Sequence, residues 1–268
     1  FRYPWKFDEP IENIIFADDY GLAVTNTGNV YSTSNGLQIN GEWIDNQNWN
    51  AEDQRPELVL SDVIDIETNQ GRDDTFVAFL TGNGEVTVIG GHYSRGGELK
   101  VIETMGSSVD VSDDLKDIVD IVSSEGSSWF LAEKADGSYA GWGHFGYNDN
   151  LPVSYNEVQS ILNELSNIKQ IHSDQNGQIA LSENGKLSIF GGINTATGNN
   201  GTSEIKNIEN VKEVFSSHVN YRDWSTNEWI TSFGIDNEGN IFRWNASADK
   251  IILGNTNGKD VLGSSSND

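Results

Sequence analysis

Carboxylates are the side chains most able to do chemistry here. The chain has 41 Asp and Glu against 16 Lys and Arg, for a formal net charge of −25. Asp18-Asp19, Asp73-Asp74 and Asp113-Asp114 are adjacent pairs. A glycosidase needs two carboxyl groups flanking one bond, as acid and base or as acid and nucleophile. Neighbouring side chains in a strand or turn point apart, so these pairs are expected to be solvated turn residues. His92, His144, His172 and His218 are never two or four residues apart, the spacings that set two imidazoles on one face of a strand or helix. His92 and His144 follow the similar strings GG and GWG, and loop hydrogen bonds are their expected role. With no Cys there is neither a disulfide framework nor a thiolate metal site. The calcium loop, the phosphate-binding glycine loop and the nucleophile elbow are all absent from the string. No cofactor is expected, although oxygen ligands abound and loose Ca²⁺ binding by an acidic loop stays open.

Aromatic residues in two polar insertions carry the sharper signal. SSHVNYRDWSTNEW holds Tyr221, Arg222, Trp224 and Trp229, and GEWIDNQNWNAEDQRPEL holds Trp43 and Trp49. Trp, Tyr and Arg are the types enriched at binding hot spots, and flat rings also stack on sugars. Two readings stand for them: a ligand-binding surface, or rings that fold back and plug their own loops. Trp142 and Trp244 end strand-like segments instead and are expected in the core.

The elements that must position these residues repeat. LKDIVDIVSSEGSSWFLAEKADGSYAGWG (Leu115–Gly143) and LSNIKQIHSDQNGQIALSENGKLSIFGG (Leu165–Gly192) are the clearest copies. LSDVIDIETNQGRDDTFVAFLTGNGEVTVIGG (Leu60–Gly91) is a third, and looser copies start at Ile11 and Ile208. Each holds an apolar pair, a small-residue loop, an apolar run, a turn ending in Gly, and a second apolar run. The turn glycines Gly28, Gly84, Gly137, Gly185 and Gly239 recur about every fifty residues, a period that marks an array of units burying faces against their neighbours. Short runs rich in Val, Ile and aromatics flank Asn-Gly, Asp-Gly or Glu-Gly, which predicts β-hairpins with two-residue turns. One helix is predicted between the third and fourth units: Ser154 and Glu157 form a capping box, and Val158, Ile161, Leu162 and Leu165 follow at helical spacing.

Stacked units of this kind predict an all-β protein, a β-propeller. The units run over 11–59, 60–114, 115–164, 165–207 and 208–258, with 259–268 a partial sixth, in one domain. The pattern of Ile118, Ile121, Leu131, Gly137, Trp142 and Gly143, matched by Ile168, Ile171, Ala180, Leu181, Gly185, Phe190 and Gly191, resembles the repeats of the regulator-of-chromosome-condensation family. The family's His-Ser ahead of the second strand is missing, and five complete units stand where the family has seven blades. Lys259–Gly263 therefore either begins a closing blade completed by Phe1–Phe7, or is the edge of a longer array. The resemblance implies an interaction module rather than an enzyme. No residue here matches an exchange-factor site, and no basic tail supports a chromatin role.

The charge repels nucleic acid and anionic membranes, and no apolar run is long enough to span a bilayer. The chain opens on Phe1 and its single Met is Met105, as expected of a processed product or an excised segment. An acidic, Lys-poor, Cys-free composition leans toward an exported bacterial protein, extracellular or at the cell surface. The expected function is a non-enzymatic platform that engages a protein through loops on one face. The alternatives are a glycan-binding, lectin-like module of an adhesin or carbohydrate-active protein, and a hydrolase with an unrecognised acidic site.

Overall fold

The structure is a computed structural model that describes residues 7–16, 20–33, 36–45, 56–70, 75–90, 98–104, 107–123, 129–143, 154–174, 177–190, 206–223, 228–244 and 249–256. At 43–45, 216–223 and 228–232, among other positions, only the backbone is described. Five sheets follow one another along the chain. In the first, β1 (Ile11–Phe16), β2 (Gly21–Thr25) and β3 (Val30–Ser32) form an antiparallel meander. The chain then leaves as a hairpin, β4 (Gly36–Ile39) and β5 (Glu42–Asp45), and returns as the outer strand β6 (Glu57–Leu60). The second sheet is β7 (Val63–Gln70), β8 (Thr75–Thr81) and β9 (Val86–Gly90). Its outer edge is taken by β4, with Ile39 opposite Ile89, so the first insertion stitches blade 1 to blade 2. The same happens one blade on. The hairpin β10 (Lys100–Thr104) and β11 (Ser107–Asp110) joins the third sheet, formed by β12 (Ile118–Val122), β13 (Trp129–Lys134) and β14 (Tyr139–Gly143), where Val101 pairs with Gly143.

Blade 4 is β15 (Ile168–Asp174), β16 (Gly177–Ser182), β17 (Leu187–Phe190) and β18 (Lys206–Ile208). Blade 5 is β19 (Val211–Asp223), β20 (Glu228–Asp236), β21 (Asn240–Trp244) and β22 (Lys250–Asn255). The predicted helix is α1 (Tyr155–Leu162), and its capping box forms as the sequence indicates. Ser154 N–H donates to the Glu157 carboxylate at 2.9 Å. Val158, Ile161 and Leu162 are buried, in the same core as blade 3.

Most turn glycines close a longer turn than the sequence suggests. In blade 1 the Gly28 N–H donates to Thr25 O, and the Thr25 N–H donates to Asn29 O, enclosing three residues. A type I turn followed by one left-handed residue makes this hairpin, and only Gly28 (φ 80°) needs positive φ. Gly84, Gly137, Gly185 and Gly239 repeat it. A two-residue turn with both central residues left-handed occurs instead at Asn40 (φ 51°) and Gly41 (φ 84°), in the stitching hairpin β4–β5.

The core lies between blades. Alternation in each strand sends one set of side chains to each face of a blade. Val24 and Val30 of blade 1 meet Val77, Phe79 and Ile89 of blade 2. Leu80, Val86 and Val88, on the other face of blade 2, meet Ile118, Ile121 and Phe130 of blade 3. Leu181, Leu187 and Ile189 of blade 4 meet Val211, Val214, Phe242 and Trp244 of blade 5. Aromatic pairs cross the seams: Phe76 tilts on Phe130 at 5.2 Å, and Trp129 packs edge-on to Phe190 at 5.5 Å. The apolar pairs Ile118/Ile121, Ile168/Ile171 and Val211/Val214 are all buried, as the repeat predicts.

Candidate functional site

The second insertion becomes a hairpin rather than a loop. β19 and β20 pair from Val211–Asp236 out to Asp223–Glu228, past an irregularity between Ser216 and Tyr221. A loop was expected because the segment is polar. Paired backbone in a two-stranded ribbon needs no buried face to satisfy its hydrogen bonds. Tyr221 stands opposite Ile230, and Arg222 opposite Trp229, in backbone register. Trp224 lies outside the described residues. Trp43 sits on β5 opposite Gln38, and Trp49 lies outside the described residues. The structure thus places Tyr221, Arg222 and Trp229 on one ribbon of blade 5, and Trp43 on the outer edge of blade 2. Trp142 and Trp244 are buried, as expected of frame residues.

Among the described carboxylates, the adjacent pair Asp113-Asp114 is used structurally. Asp113 pairs with Lys116 at 2.7 Å, and Asp114 accepts a 2.6 Å hydrogen bond from the Tyr155 hydroxyl. That bond, then burial, raises the Tyr155 hydroxyl to about 12. Asp18-Asp19 and Asp73-Asp74 lie outside the described residues, as do His92 and His144; His218 is described only as backbone on β19.

His172 is buried on β15 and hydrogen-bonded with the Val214 backbone of blade 5. Burial, opposed by that bond, holds it down at about 4, so the ring is neutral. This places His172 in the seam between blades 4 and 5. Among the described residues no group of three or more His, Asp or Glu could hold a metal ion, and no helix is long and apolar enough to cross a membrane.

A carboxylate group that the sequence reading did not single out lies where β7 meets β12. Ser123 donates to the Glu67 carboxylate at 2.7 Å and to Thr68 O at 3.0 Å, bridging blades 3 and 2. Burial pushes Glu67 up, Ser123 pulls it down, and Asp65 and Asp120 push it up again. Asp120 is raised by burial, then by Asp65 and Glu133, and shares a hydrogen bond with Asp65. Glu133 in turn accepts from the Tyr139 hydroxyl at 3.3 Å. The recurring Asp-Ile of the apolar pair was the available signal. Asp65 and Asp120 occupy the same register position of adjacent inner strands and so meet when blades 2 and 3 lie side by side, whereas blade 4 has Gln170 there.

The described residues form five β-meanders packed face to face, and solved structures share this kind of fold. The fold is that of the RCC1-like β-propellers. Yeast RCC1 (Prp20), solved with Kap60 bound, matches with a TM-score of 0.50 at 17% identity, over 87% of this chain and 56% of that one. Prp20p from Saccharomyces cerevisiae, studied for binding to Gsp1p and histones, gives 0.45 at 16% over 87% and 57%. Human WBSCR16 gives 0.46 at 16% over 87% and 61%. The chain therefore spans less than two-thirds of each of these RCC1-like chains. No protein-family profile and no curated protein sequence matches it. Among the described inner strands β19 is the longest: it runs 13 residues, where β12, its counterpart in blade 3, runs 5.

Proposed function

We propose that this chain is a non-enzymatic binding propeller that engages a protein partner through the blade-5 ribbon. One observation carries the reading. β19 and β20 extend the ladder to Asp223–Glu228 and set Tyr221, Arg222 and Trp229 on that extension. These are hot-spot residue types. A paired ribbon also presents them with less ordering entropy to lose than a free loop would. Yeast RCC1, which shares the fold, has been solved with Kap60 bound. A net charge of −25 favours a basic partner surface and speeds its approach. The acidic, Cys-free composition further suggests work outside the cell or at its surface.

The test uses a double variant, Tyr221→Ala with Trp229→Ala, beside the unaltered chain. Both are offered to a panel of purified basic and neutral proteins and to a glycan array. The expected result is a protein bound by the unaltered chain and lost by the variant, with nearly unchanged Tm. Equal binding by both, or a Tm lowered by many degrees, contradicts the proposal, because the rings then act as plugs or not at all. Binding confined to the glycan array would instead make the ribbon a lectin site. Turnover of chromogenic glycosides would overturn the non-enzymatic reading.

A further inference from the structure

The inner strands share one bulge. The ladder of β1 with β2 skips a residue between Ile11 and Asn13. The ladders of β7, β12, β15 and β19 skip one between Val63 and Asp65, Ile118 and Asp120, Ile168 and Gln170, and Val211 and Glu213. The residues left out of the pairing are Glu12, Ile64, Val119, Lys169 and Lys212, and all five are exposed. A bulge bends its strand and re-aims a side chain. Here it turns one side chain per blade away from the seams. In blade 3, Ile118 and Ile121 on either side of the bulge are exposed by 3% and 2%, and Val119 by 54%; Ile64, its counterpart in blade 2, stands at 63%.

The bulges of blades 2 to 5 follow one another in an arc. β7 lies against β12, β12 against β15, and β15 against β19. The last step closes at the bulge itself, where Lys169 Nζ donates to the Lys212 carbonyl at 3.1 Å. The position after the bulge ties the same two strands: the Gln170 side chain donates to Val214 O at 3.2 Å and accepts from the Val214 N–H at 3.4 Å. The arc is thus aliphatic over Ile64 and Val119 and cationic over Lys169 and Lys212. Among the described residues neither lysine has a carboxylate within ion-pair distance, not even the exposed Glu213 that follows Lys212. The chain has 41 acidic side chains, so two unpaired ammonium groups set side by side stand apart from their surroundings.

We propose that this arc docks an acidic peptide segment of a partner protein, whose aliphatic side chains cover Ile64 and Val119 and whose carboxylates meet Lys169 and Lys212. Charge complementarity selects the occupant. The two ammonium groups attract one or two carboxylates, and an apolar neighbour that excludes water strengthens the attraction. A nucleic acid or an anionic membrane carries charge far beyond two lysines, and the net charge of −25 repels that excess. A basic segment would set like charges against the lysines. The surface is distinct from the ribbon: Lys212 sits beside the Val211–Asp236 pair that begins the β19–β20 ladder, whereas Tyr221 and Trp229 lie toward its other end.

The probe is an array of synthetic peptides that join a Leu or Ile pair to an Asp or Glu pair, in either order and at varied spacing. Each stands beside a counterpart with Lys in place of the acids. The unaltered chain should retain acidic peptides and not their Lys counterparts, and the best binder is then titrated by fluorescence anisotropy. Lys169→Glu with Lys212→Glu should weaken it at least about tenfold, because like charges then face each other. Ile64→Ser with Val119→Ser should also weaken it at least about tenfold, through lost apolar burial. Tyr221→Ala with Trp229→Ala should leave it unchanged. Circular dichroism checks that each variant is folded, and the double lysine variant should gain binding of the Lys counterparts, an exchange that a damaged fold cannot give. An array without preference for acidic peptides overturns the proposal, as does equal affinity of the unaltered chain and the double lysine variant. So does equal retention of single-stranded DNA or of phosphatidylserine–phosphatidylcholine vesicles, since the lysines would then serve any polyanion.

Discussion

The Gly185 carbonyl accepts a hydrogen bond from the Val211 N–H at 2.9 Å, tying the turn of blade 4 to the first residue of blade 5. The same bond joins Gly28 to Val63 at 3.0 Å and Gly84 to Ile118 at 3.1 Å. Just before each receiving strand stands an Asp or Asn with left-handed φ: Asp62, Asp117 and Asn210. Its short polar side chain tolerates that conformation, which turns the next N–H toward the preceding blade. The third seam differs. Asn167 keeps the left-handed φ, but the Ile168 N–H donates to the Tyr139 hydroxyl at 2.8 Å.

The seams bury apolar side chains, so emptying one should be costly. Ile121→Ala should destabilise by about 2–5 kcal/mol, the range for a large-to-small change in a packed core. Ile14→Ala, at the equivalent but exposed position, should change stability by less than about 0.5 kcal/mol. Urea denaturation of both variants at low protein concentration checks this, and equal effects would contradict the assignment of the seams.

His172 gives the fold an acid sensitivity. Burial sets its pKa at about 4 in the fold, below the ordinary 6.5. The unfolded chain takes up the proton first, so stability is full above pH 6.5 and is lost as pH falls toward 4. His172→Leu should remove that loss, at the expense of the Val214 hydrogen bond. Urea midpoints at pH 7 and pH 4.5 should lie closer together in the variant than in the unaltered chain.

Glu67 and Asp120 act in the opposite sense. Both are raised in the fold, so the fold binds protons more readily than the unfolded chain, and lowering pH through their range adds stability. Asp120→Asn removes charge from the seam and should raise Tm at pH 7, with the gain shrinking as the medium is acidified. A gain independent of pH would contradict the carboxylate contact with Asp65.

Asp236 is buried and takes a 2.8 Å ion pair from Lys250, whose ammonium also lies 4.4 Å from the Phe242 ring centroid. Burial pushes this carboxyl up, but Lys250 and Asn240 outweigh it and hold it at about 2. Its contribution is present above the ordinary value of 3.8 and is lost as pH falls toward 2. Lys250→Met leaves the carboxylate with Asn240 and backbone donors only. It should cost about 2 kcal/mol at pH 7, the scale of a lost hydrogen bond to a charged group, and less at pH 3.

Much of this was legible because the repeat is carried by burial. Ile118, Ile121, Ile168 and Ile171 announce the inner strands, and the Ser154–Glu157 capping box announces α1. The turns were misjudged where Asn-Gly has two outcomes: Asn40-Gly41 is left-handed at both residues, whereas only the glycine is in Asn83-Gly84. Strand context decides which forms, and a dipeptide does not carry it. The stitching hairpins β4–β5 and β10–β11 were hidden for a related reason. Their partners, β9 and β14, belong to the next unit, and pairing between units leaves no local period. The ribbon of Tyr221 and Trp229 was visible as an unusual composition but not as paired strands, since polar ladders lack alternation.

The account rests on blades joined through their turns, and a pair of glycine variants tests it most directly. Gly185 (φ 84°) and Gly137 (φ 81°) have the same backbone conformation, so an alanine at either bears a similar left-handed penalty of about 1–2 kcal/mol. A Cβ on Gly185 would stand 2.8 Å from Val211 O, whereas one on Gly137 meets nothing within 4 Å. Gly185→Ala should therefore be less stable than Gly137→Ala by at least about 1 kcal/mol, because the seam must open and the Val211 bond is weakened. Equal losses for the two variants in urea denaturation would contradict the joining of blades 4 and 5 through this turn.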